Sequence, residues 1–144
     1  MSHVAEMDTP ILDLDCLEKA CKAIGLELVR GQKKYRWYGR SVGDFPLPAG
    51  FTEQDLGKCE HAIRVPGNNE AYEIGVVKRR GKPGYTMMWD FWNGGYGMEK
   101  IAGKDGNNMK HSYSYQLAKK KAPRGFRLNE TKLPDGRVIM KFSR

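Results

Sequence analysis

Residues 72–92 read YEIGVVKRRGKPGYTMMWDFW, and this stretch predicts a pair of antiparallel strands. Two apolar runs, residues 72–79 and 85–92, flank a short segment whose glycines and proline are typical of a hairpin loop. In the second run, alternate side chains would share one face of the strand, as a half-buried strand requires. These side chains are Tyr85, Met87, Trp89 and Phe91.

The N-terminal part of the chain predicts a strand followed by a helix. Residues 2–9 predict an edge strand that ends at Pro10. Asp15 and Glu18 have the spacing of a capping box, because an acidic side chain can accept hydrogen bonds from the free N–H groups of a first helical turn. Gly25 is typical of the left-handed residue at which a helix ends.

Three short strands are predicted between this helix and the hairpin, at residues 26–30, 35–38 and 61–65. Residues 43–57 contain two prolines and three glycines, which exclude a continuous helix or a central strand. We expect this segment to be an irregular loop that either packs back on the sheet or binds a partner. Its larger apolar side chains are Phe45, Leu47 and Phe51.

The C-terminal part predicts a helix and a second hairpin. Met109, Tyr113 and Leu117 lie at helical spacing, so residues 109–121 predict a helix. Residues 126–132 and 137–143 predict two paired strands. Strands and helices in this order indicate one α+β domain over residues 1–144, with a mainly antiparallel sheet and two helices packed on one face.

Several of these segments resemble a family of small proteins of unknown function. Tyr113, Tyr115 and Leu117 run into three lysines, and the chain continues through Gly125-Phe126-Arg127-Leu128 to Pro134-Asp135-Gly136. With the Met1-Ser2-His3 start, these residues resemble proteins encoded in cyanobacteria, in some algal plastids as a conserved open reading frame, and in bacteriophages. The resemblance covers roughly two thirds of the chain. It implies a fold but no reaction.

Composition bounds the class of protein. The 144 residues are 40% hydrophobic and 29% charged, which is typical of one globular domain. No apolar run approaches the roughly 18 residues of a membrane span, and the acidic start predicts no secretory signal. Three scattered cysteines have no disulfide or metal spacing. We therefore expect a reduced cytoplasmic protein without a membrane partner, in the host cytoplasm if it is phage-encoded.

Sequence patterns of catalysis are missing. His3, His61 and His111 lie far apart, and no nucleophile, phosphate-loop or paired-carboxylate pattern accompanies them. Residues 94–97 (GGYG) could bend around a phosphate, although a plain loop fits the same residues. We expect no enzymatic activity, no metal and no cofactor.

The basic residues carry the functional prediction. The net charge is +8, with +4 in residues 30–44 and +11 in residues 76–144. Cations beside aromatic rings suit single-stranded nucleic acid, because charge neutralises phosphates and rings stack on bases. A half-buried strand would show the same alternation, with its rings inside. The candidate nucleic-acid-binding residues form a first basic run (Lys33, Lys34, Arg36, Trp37, Arg40), a second (Lys78, Arg79, Arg80, Lys82) and a third (Lys119, Lys120, Lys121, Arg124).

Two classes of function follow from these features. The first is a non-enzymatic basic accessory protein that binds nucleic acid or a nucleoprotein assembly, with stacking on Trp37 or Tyr38. The second is an adaptor or inhibitor, for example of a host or defence protein, that docks an acidic protein through residues 45–51. Capture of a small anion such as a nucleotide beside residues 94–97 is a further alternative. The oligomeric state is not predicted.

Overall fold

The hairpin predicted in residues 72–92 lies inside a five-stranded sheet. The computed structural model describes residues 3–41, 43, 45–122, 127–132, 134 and 138–143. Neighbouring strands are antiparallel, in the order β1-β5-β4-β3-β2. These strands are β1 (Val4–Ile11), β2 (Glu27–Arg30), β3 (His61–Arg64), β4 (Ile74–Lys78) and β5 (Tyr85–Asp90).

The strand register defines two ends of the sheet. Lys78 lies opposite Tyr85, and Tyr85 lies opposite Ile11, while Arg30 lies opposite His61. Thus β1, β2 and β4 finish where β3 and β5 begin, and we call this the basic end. At the other end, which we call the tyrosine end, β5 finishes and β1 begins.

Two helices cover one face of the sheet, the helical face. Helix α1 (Leu14–Ala23) runs from the basic end, and its N-cap is Asp13 rather than the predicted Asp15, because the Asp13 carboxylate accepts a hydrogen bond from the Cys16 N–H at 2.9 Å. A short helix α2 (Met98–Ala102) precedes helix α3 (Asn107–Lys121). Since the Ser112 hydroxyl donates to the Ala20 carbonyl at 2.8 Å, α1 and α3 are tied together in the core.

The opposite face, the loop face, is covered by the long connection from β2 to β3. Tyr35, Phe51 and Leu56 from this connection are buried against Met88 and Ala62 of the sheet. The prediction of a strand at residues 35–38 is therefore wrong. Among the described residues, the bridge beside this segment is an isolated one between residues 34 and 58, and β2 pairs with β3 instead.

The structure confirms the α+β fold. The C-terminal hairpin consists of β6 (Arg127–Lys132) and β7 (Val138–Ser143), close to the predicted bounds. No helix in the described part of the chain is long and apolar enough to cross a membrane. The predicted core residues Leu17, Ile74, Val76 and Trp89 are buried, and Leu14, Ile24, Phe91 and Leu117 pack against them. The side chains of Val138, Met140 and Phe142, also predicted in the core, lie outside the described residues.

Two buried tyrosines give a matched test of the core. The hydroxyl of Tyr113 accepts hydrogen bonds from the backbone N–H groups of Leu12 and Asp13, at 3.0 and 3.2 Å. The hydroxyl of Tyr35 is buried and has no partner among the described residues. We expect Tyr113→Phe to lower the free energy of unfolding by about 1–3 kcal/mol, and Tyr35→Phe to leave it unchanged or raise it, because only the first removes hydrogen bonds. Urea denaturation measures both, and equal losses would contradict this.

Candidate nucleic-acid interface

Most of the predicted basic residues gather at the basic end. The second basic run begins at Lys78, the last residue of β4, at this end. The third lies in the last turn of α3. This turn is at the same end, since the Lys120 ammonium donates at 2.5 Å to the carboxylate of Asp13, and Asp13 lies two residues after the end of β1. Lys33 belongs here too, since its ammonium lies 2.9 Å from the carboxylate of Glu60, just before β3. Arg124 lies outside the described residues.

Some of these cations are paired with acids. Lys33 pairs with Glu60, Arg80 with Asp55 at 3.2 Å and Lys120 with Asp13. Arg30, which was not among the predicted site residues, pairs with Asp15 at 2.7 Å. The guanidinium of Arg80 also lies 4.6 Å from the ring centre of Phe51. These contacts hold the ends of the loop and helices in place, and they leave the paired groups with less net charge to offer a ligand.

Other lysines at this end are exposed and form no ion pair with an acid in the described part of the chain, although the charge of Lys58 acts on Asp55 and that of Lys78 on Glu60. Lys58, which sequence reasoning missed because it stands apart from the three basic runs, belongs to this set. The set comprises Lys34, Lys58, Lys78, Lys82, Lys119 and Lys121. The basic end therefore presents more exposed cations than its ion pairs neutralise.

Two of these lysines are held directly opposite each other. Lys34 and Lys58 form the isolated antiparallel bridge. The flanking hydrogen bonds run from the Tyr35 N–H to the Gly57 carbonyl and from the Cys59 N–H to the Lys33 carbonyl, both at 2.9 Å. This pattern makes the lysines a non-hydrogen-bonded pair, in which side chains approach most closely. Like charges directly opposite each other on paired strands are destabilising.

The rest of the first basic run crosses the loop face to the tyrosine end. Along it, Tyr35 is buried and Trp37 is partly buried, whereas Arg36, Tyr38 and Arg40 are exposed. The rings of Tyr35 and Trp37 therefore face the sheet. This agrees with the alternative prediction from the sequence, in which the rings point inwards and the charged residues outwards. Together with Lys34, the three exposed residues form an outward row, which we call the cationic row.

Trp37 and Tyr38 have different surroundings. The Trp37 ring packs so closely on Gly57 that a Cβ there would lie 2.3 Å from the indole nitrogen. The Tyr38 ring remains 38% exposed, and the guanidinium of Arg40 lies 5.6 Å from its centre. Of the two predicted stacking residues, Tyr38 offers the ring that a ligand can reach.

Two buried carboxylates fix the cationic row. Glu73 accepts hydrogen bonds from the Arg36 N–H at 2.8 Å and from the Gln32 amide at 3.0 Å. Asp90, which is fully buried, accepts from the backbone N–H groups of His3, Tyr38 and Trp92 at 3.0–3.2 Å. The carboxylates of Glu73 and Asp90 thus accept the hydrogen bonds from the Arg36 and Tyr38 N–H groups that a neighbouring strand would otherwise accept.

The alternative sites have less favourable surroundings. In the loop at residues 45–51, Phe51 is buried and Phe45 stacks on His3 at 5.0 Å. These two rings pack back on the protein, which leaves Leu47 as the exposed apolar side chain of that predicted docking segment. Beside residues 94–97, a Cβ at Gly94 would lie 3.8 Å from the carboxylate of Glu99, which repels an anion.

The thiols and histidines are held in structural contacts. Burial raises the pKa of Cys21 and of Cys59 to about 12, and burial also raises the pKa of Cys16, so all three thiols are protonated at neutral pH. His61 accepts a hydrogen bond from the Gly31 N–H at 3.0 Å, and burial lowers the pKa of its imidazole. Among the described residues, no group of three potential ligands could hold a metal ion.

Comparisons of the chain with protein-family models, with curated proteins and with solved structures found no match. The resemblance to the plastid, cyanobacterial and phage proteins therefore stays a prediction.

The ion pair at the start of α1 predicts a pH dependence. Hydrogen bonds from the Lys120 ammonium and from the Cys16 N–H lower the pKa of Asp13 to about 2. A lowered carboxyl pKa stabilises the fold above the unfolded pKa of roughly 4, and this stabilisation is lost as the pH falls through the folded pKa. We expect Lys120→Met to be less stable than the native protein at pH 6, with the difference shrinking between about pH 4 and pH 2. Urea denaturation across this range measures it.

Lys121→Met is the matched control, because Lys121 is exposed in the same helical turn and makes no ion pair with a described acid. It should change stability little at every pH. A Lys120→Met deficit that is as large at pH 2 as at pH 6 would contradict the assignment.

Asp90 gives a second test. Asp90→Ala leaves three backbone N–H groups without their acceptor, so we expect a loss of roughly 3 kcal/mol or more in the free energy of unfolding. Amide hydrogen exchange should accelerate at His3, Tyr38 and Trp92. Asp8→Ala, which removes an exposed aspartate from β1, should change neither measurement. Native-like exchange at Tyr38 in the Asp90 variant would show that other contacts hold the row.

Proposed function

We propose that this protein is a non-enzymatic accessory protein that binds nucleic acid, with the phosphate backbone held at the basic end. The proposal is supported by the convergence of the second and third basic runs with Lys33 and Lys34 at one end of the sheet. Phosphates bind to clustered lysines and arginines because each contact releases condensed counterions. These residues are far apart in the sequence, and the register of the strands brings them to the same end of the sheet.

The observation that carries the proposal is the pair Lys34 and Lys58. Two lysines at a close cross-strand position are an unfavourable pair. Neither forms an ion pair with a described acid, although the charge of Lys58 also acts on the carboxylate of Asp55. A phosphate between the two ammonium groups would turn this repulsion into two attractive contacts. A structural role alone would favour a lysine opposite an acid.

A linear polyanion fits the surroundings of this pair better than a compact acidic protein does. The cationic row leads away from Lys34 across the loop face towards Arg40, so the positive surface is elongated. The predicted docking segment at residues 45–51 has its two phenylalanines packed on the protein itself. An acidic protein partner is the competing class, and the binding experiment below separates the two.

Binding rather than catalysis is favoured by the chemistry of the buried groups. The three thiols are protonated at neutral pH, and Glu73 and Asp90 are occupied by backbone N–H groups. Three buried free thiols also suit a reducing compartment such as the cytoplasm.

The proposal predicts a salt-dependent affinity that depends on the opposed lysines. Lys34→Gln with Lys58→Gln should weaken binding to a short DNA or RNA oligonucleotide and reduce the slope of log affinity against log salt by up to about two units. Fluorescence anisotropy between about 50 and 200 mM salt measures the slope.

The charge-matched control is Lys100→Gln with Lys104→Gln, which removes two exposed lysines from the segment around α2. It should leave the slope close to that of the native protein. A native protein that binds neither DNA nor RNA at about 50 mM salt would overturn the proposal and favour an acidic protein partner.

A further inference from the structure

Three tyrosines gather at the tyrosine end, beside the buried Asp90. Tyr38 and Tyr96 are 38% and 44% exposed, and they are the exposed large aromatic side chains of the described residues. The rings of Tyr72 and Tyr96 meet edge to face with centres 4.9 Å apart. The Tyr38 N–H donates to the Asp90 carboxylate at 3.2 Å. A Cβ at Gly95, the neighbour of Tyr96, would lie 3.4 Å from the Asp90 carbonyl oxygen, so both exposed tyrosines belong to segments that contact Asp90.

The backbone that carries Tyr96 is unusual. Residues 93–96 form four consecutive left-handed residues, and two of them, Asn93 (φ 50°) and Tyr96 (φ 53°), are not glycine. A left-handed residue with a side chain costs about 1–2 kcal/mol. The Tyr72 N–H donates to the Gly95 carbonyl at 2.8 Å and holds this turn against the sheet. The fold thus keeps a strained turn that displays an aromatic ring to solvent, which core packing does not explain.

Cations accompany the rings. The Arg40 guanidinium lies over Tyr38, and its nitrogen donates to the Tyr38 hydroxyl at 3.3 Å. Arg36 is exposed two residues before Tyr38, and its guanidinium donates to the Ala71 carbonyl, next to Tyr72, at 2.8 Å. Exposed rings beside arginines are suited to binding single-stranded nucleic acid, because bases stack on aromatic faces while arginines contact the phosphates.

We propose that Tyr38 and Tyr96 form a stacking site for unpaired bases of a single-stranded nucleic acid, with Arg36 and Arg40 on its phosphates. This rests on the proposed function, and it adds the form of nucleic acid that the protein selects. Duplex bases present no free faces for stacking, so the site discriminates against duplex, whereas the basic end does not.

The stacking site is continuous with the basic end. Lys34, Arg36, Tyr38 and Arg40 are exposed residues of a single segment, and Lys34 and Arg40 are at most about 22 Å apart along it. A strand held by phosphate at Lys34 and Lys58 therefore reaches the tyrosines along the cationic row. The two ends form one path for a linear ligand.

The test compares a short oligothymidylate with a DNA duplex of similar length, both labelled for anisotropy. Tyr38→Ser with Tyr96→Asn removes both rings, and asparagine tolerates the left-handed backbone of Tyr96. We expect single-strand affinity to fall at least about 30-fold, since stacking contributes about 1–3 kcal/mol for each of the two bases. Duplex affinity should change less than about twofold, because phosphate contacts remain.

Two control variants make the test specific. Tyr38→Phe with Tyr96→Phe keeps both rings and should bind the single strand like the native protein. Leu12→Ser removes a 65% exposed apolar side chain at the basic end and should also bind normally.

A fluorescence experiment tests stacking directly. An oligonucleotide containing 2-aminopurine should lose fluorescence on binding the native protein, and Tyr38→Ser with Tyr96→Asn should abolish that quenching.

The outcomes separate this inference from the proposed function. If the ring-removing variant binds both DNA forms like the native protein while Lys34→Gln with Lys58→Gln weakens both, the stacking site is overturned and the phosphate-binding function stands. Equal losses for single strand and duplex would likewise overturn stacking. If the native protein binds neither form, both proposals fall.

Discussion

The carboxylate of Asp90 is the constraint on which the tyrosine end depends. It is fully buried, so its charge is tolerated only because backbone N–H groups surround it. Those N–H groups come from the chain start, the cationic row and the turn after β5. One side chain therefore holds the cationic row against the paired ends of β1 and β5.

The loop face shows how an irregular segment can act as a structural layer. The ring of Tyr35 lies on Gly75 of β4, so closely that a Cβ there would be 2.3 Å from it. Glycine at this point lets the connection from β2 to β3 approach the sheet where a helix would otherwise be needed. Because the inward rings of Tyr35 and Trp37 anchor the segment, their neighbours Lys34, Arg36 and Tyr38 face solvent. Arg40 follows a left-handed Gly39 (φ 98°) and is held beside Tyr38 by a hydrogen bond to its hydroxyl.

The local elements were predictable from the sequence, and their partners were not. The hairpin in residues 72–92 was predictable because a short turn joins two apolar runs, and the α3 stripe was predictable because its spacing is local. The segment at residues 35–38 looked like a strand because its rings alternate. It is not one, because the N–H groups of Arg36 and Tyr38 donate to the side chains of Glu73 and Asp90, 37 and 52 residues away, and not to a neighbouring strand.

The candidate site shows the same limit. Composition indicated an anionic partner, and alternation indicated that either the rings or the cations face outwards. Lys58 was missed because it lies outside the three basic runs. Its bridge to Lys34 is what places it in the candidate site. Tyr96 was missed because its exposure depends on a left-handed turn, and a glycine-rich stretch alone indicates only irregular backbone.

The pairing of β1 with β5 also decides when the protein can fold. The chain start bonds to Asp90, 87 residues further on, so β1 stays without its neighbour until β5 has been synthesised. Contacts between residues so distant in sequence slow folding, because a long loop must close before they form. During synthesis β1 and α1 therefore emerge with apolar faces uncovered. The hairpin of β4 and β5, whose pairing is local, is the element that can form first and receive β1 along its free edge.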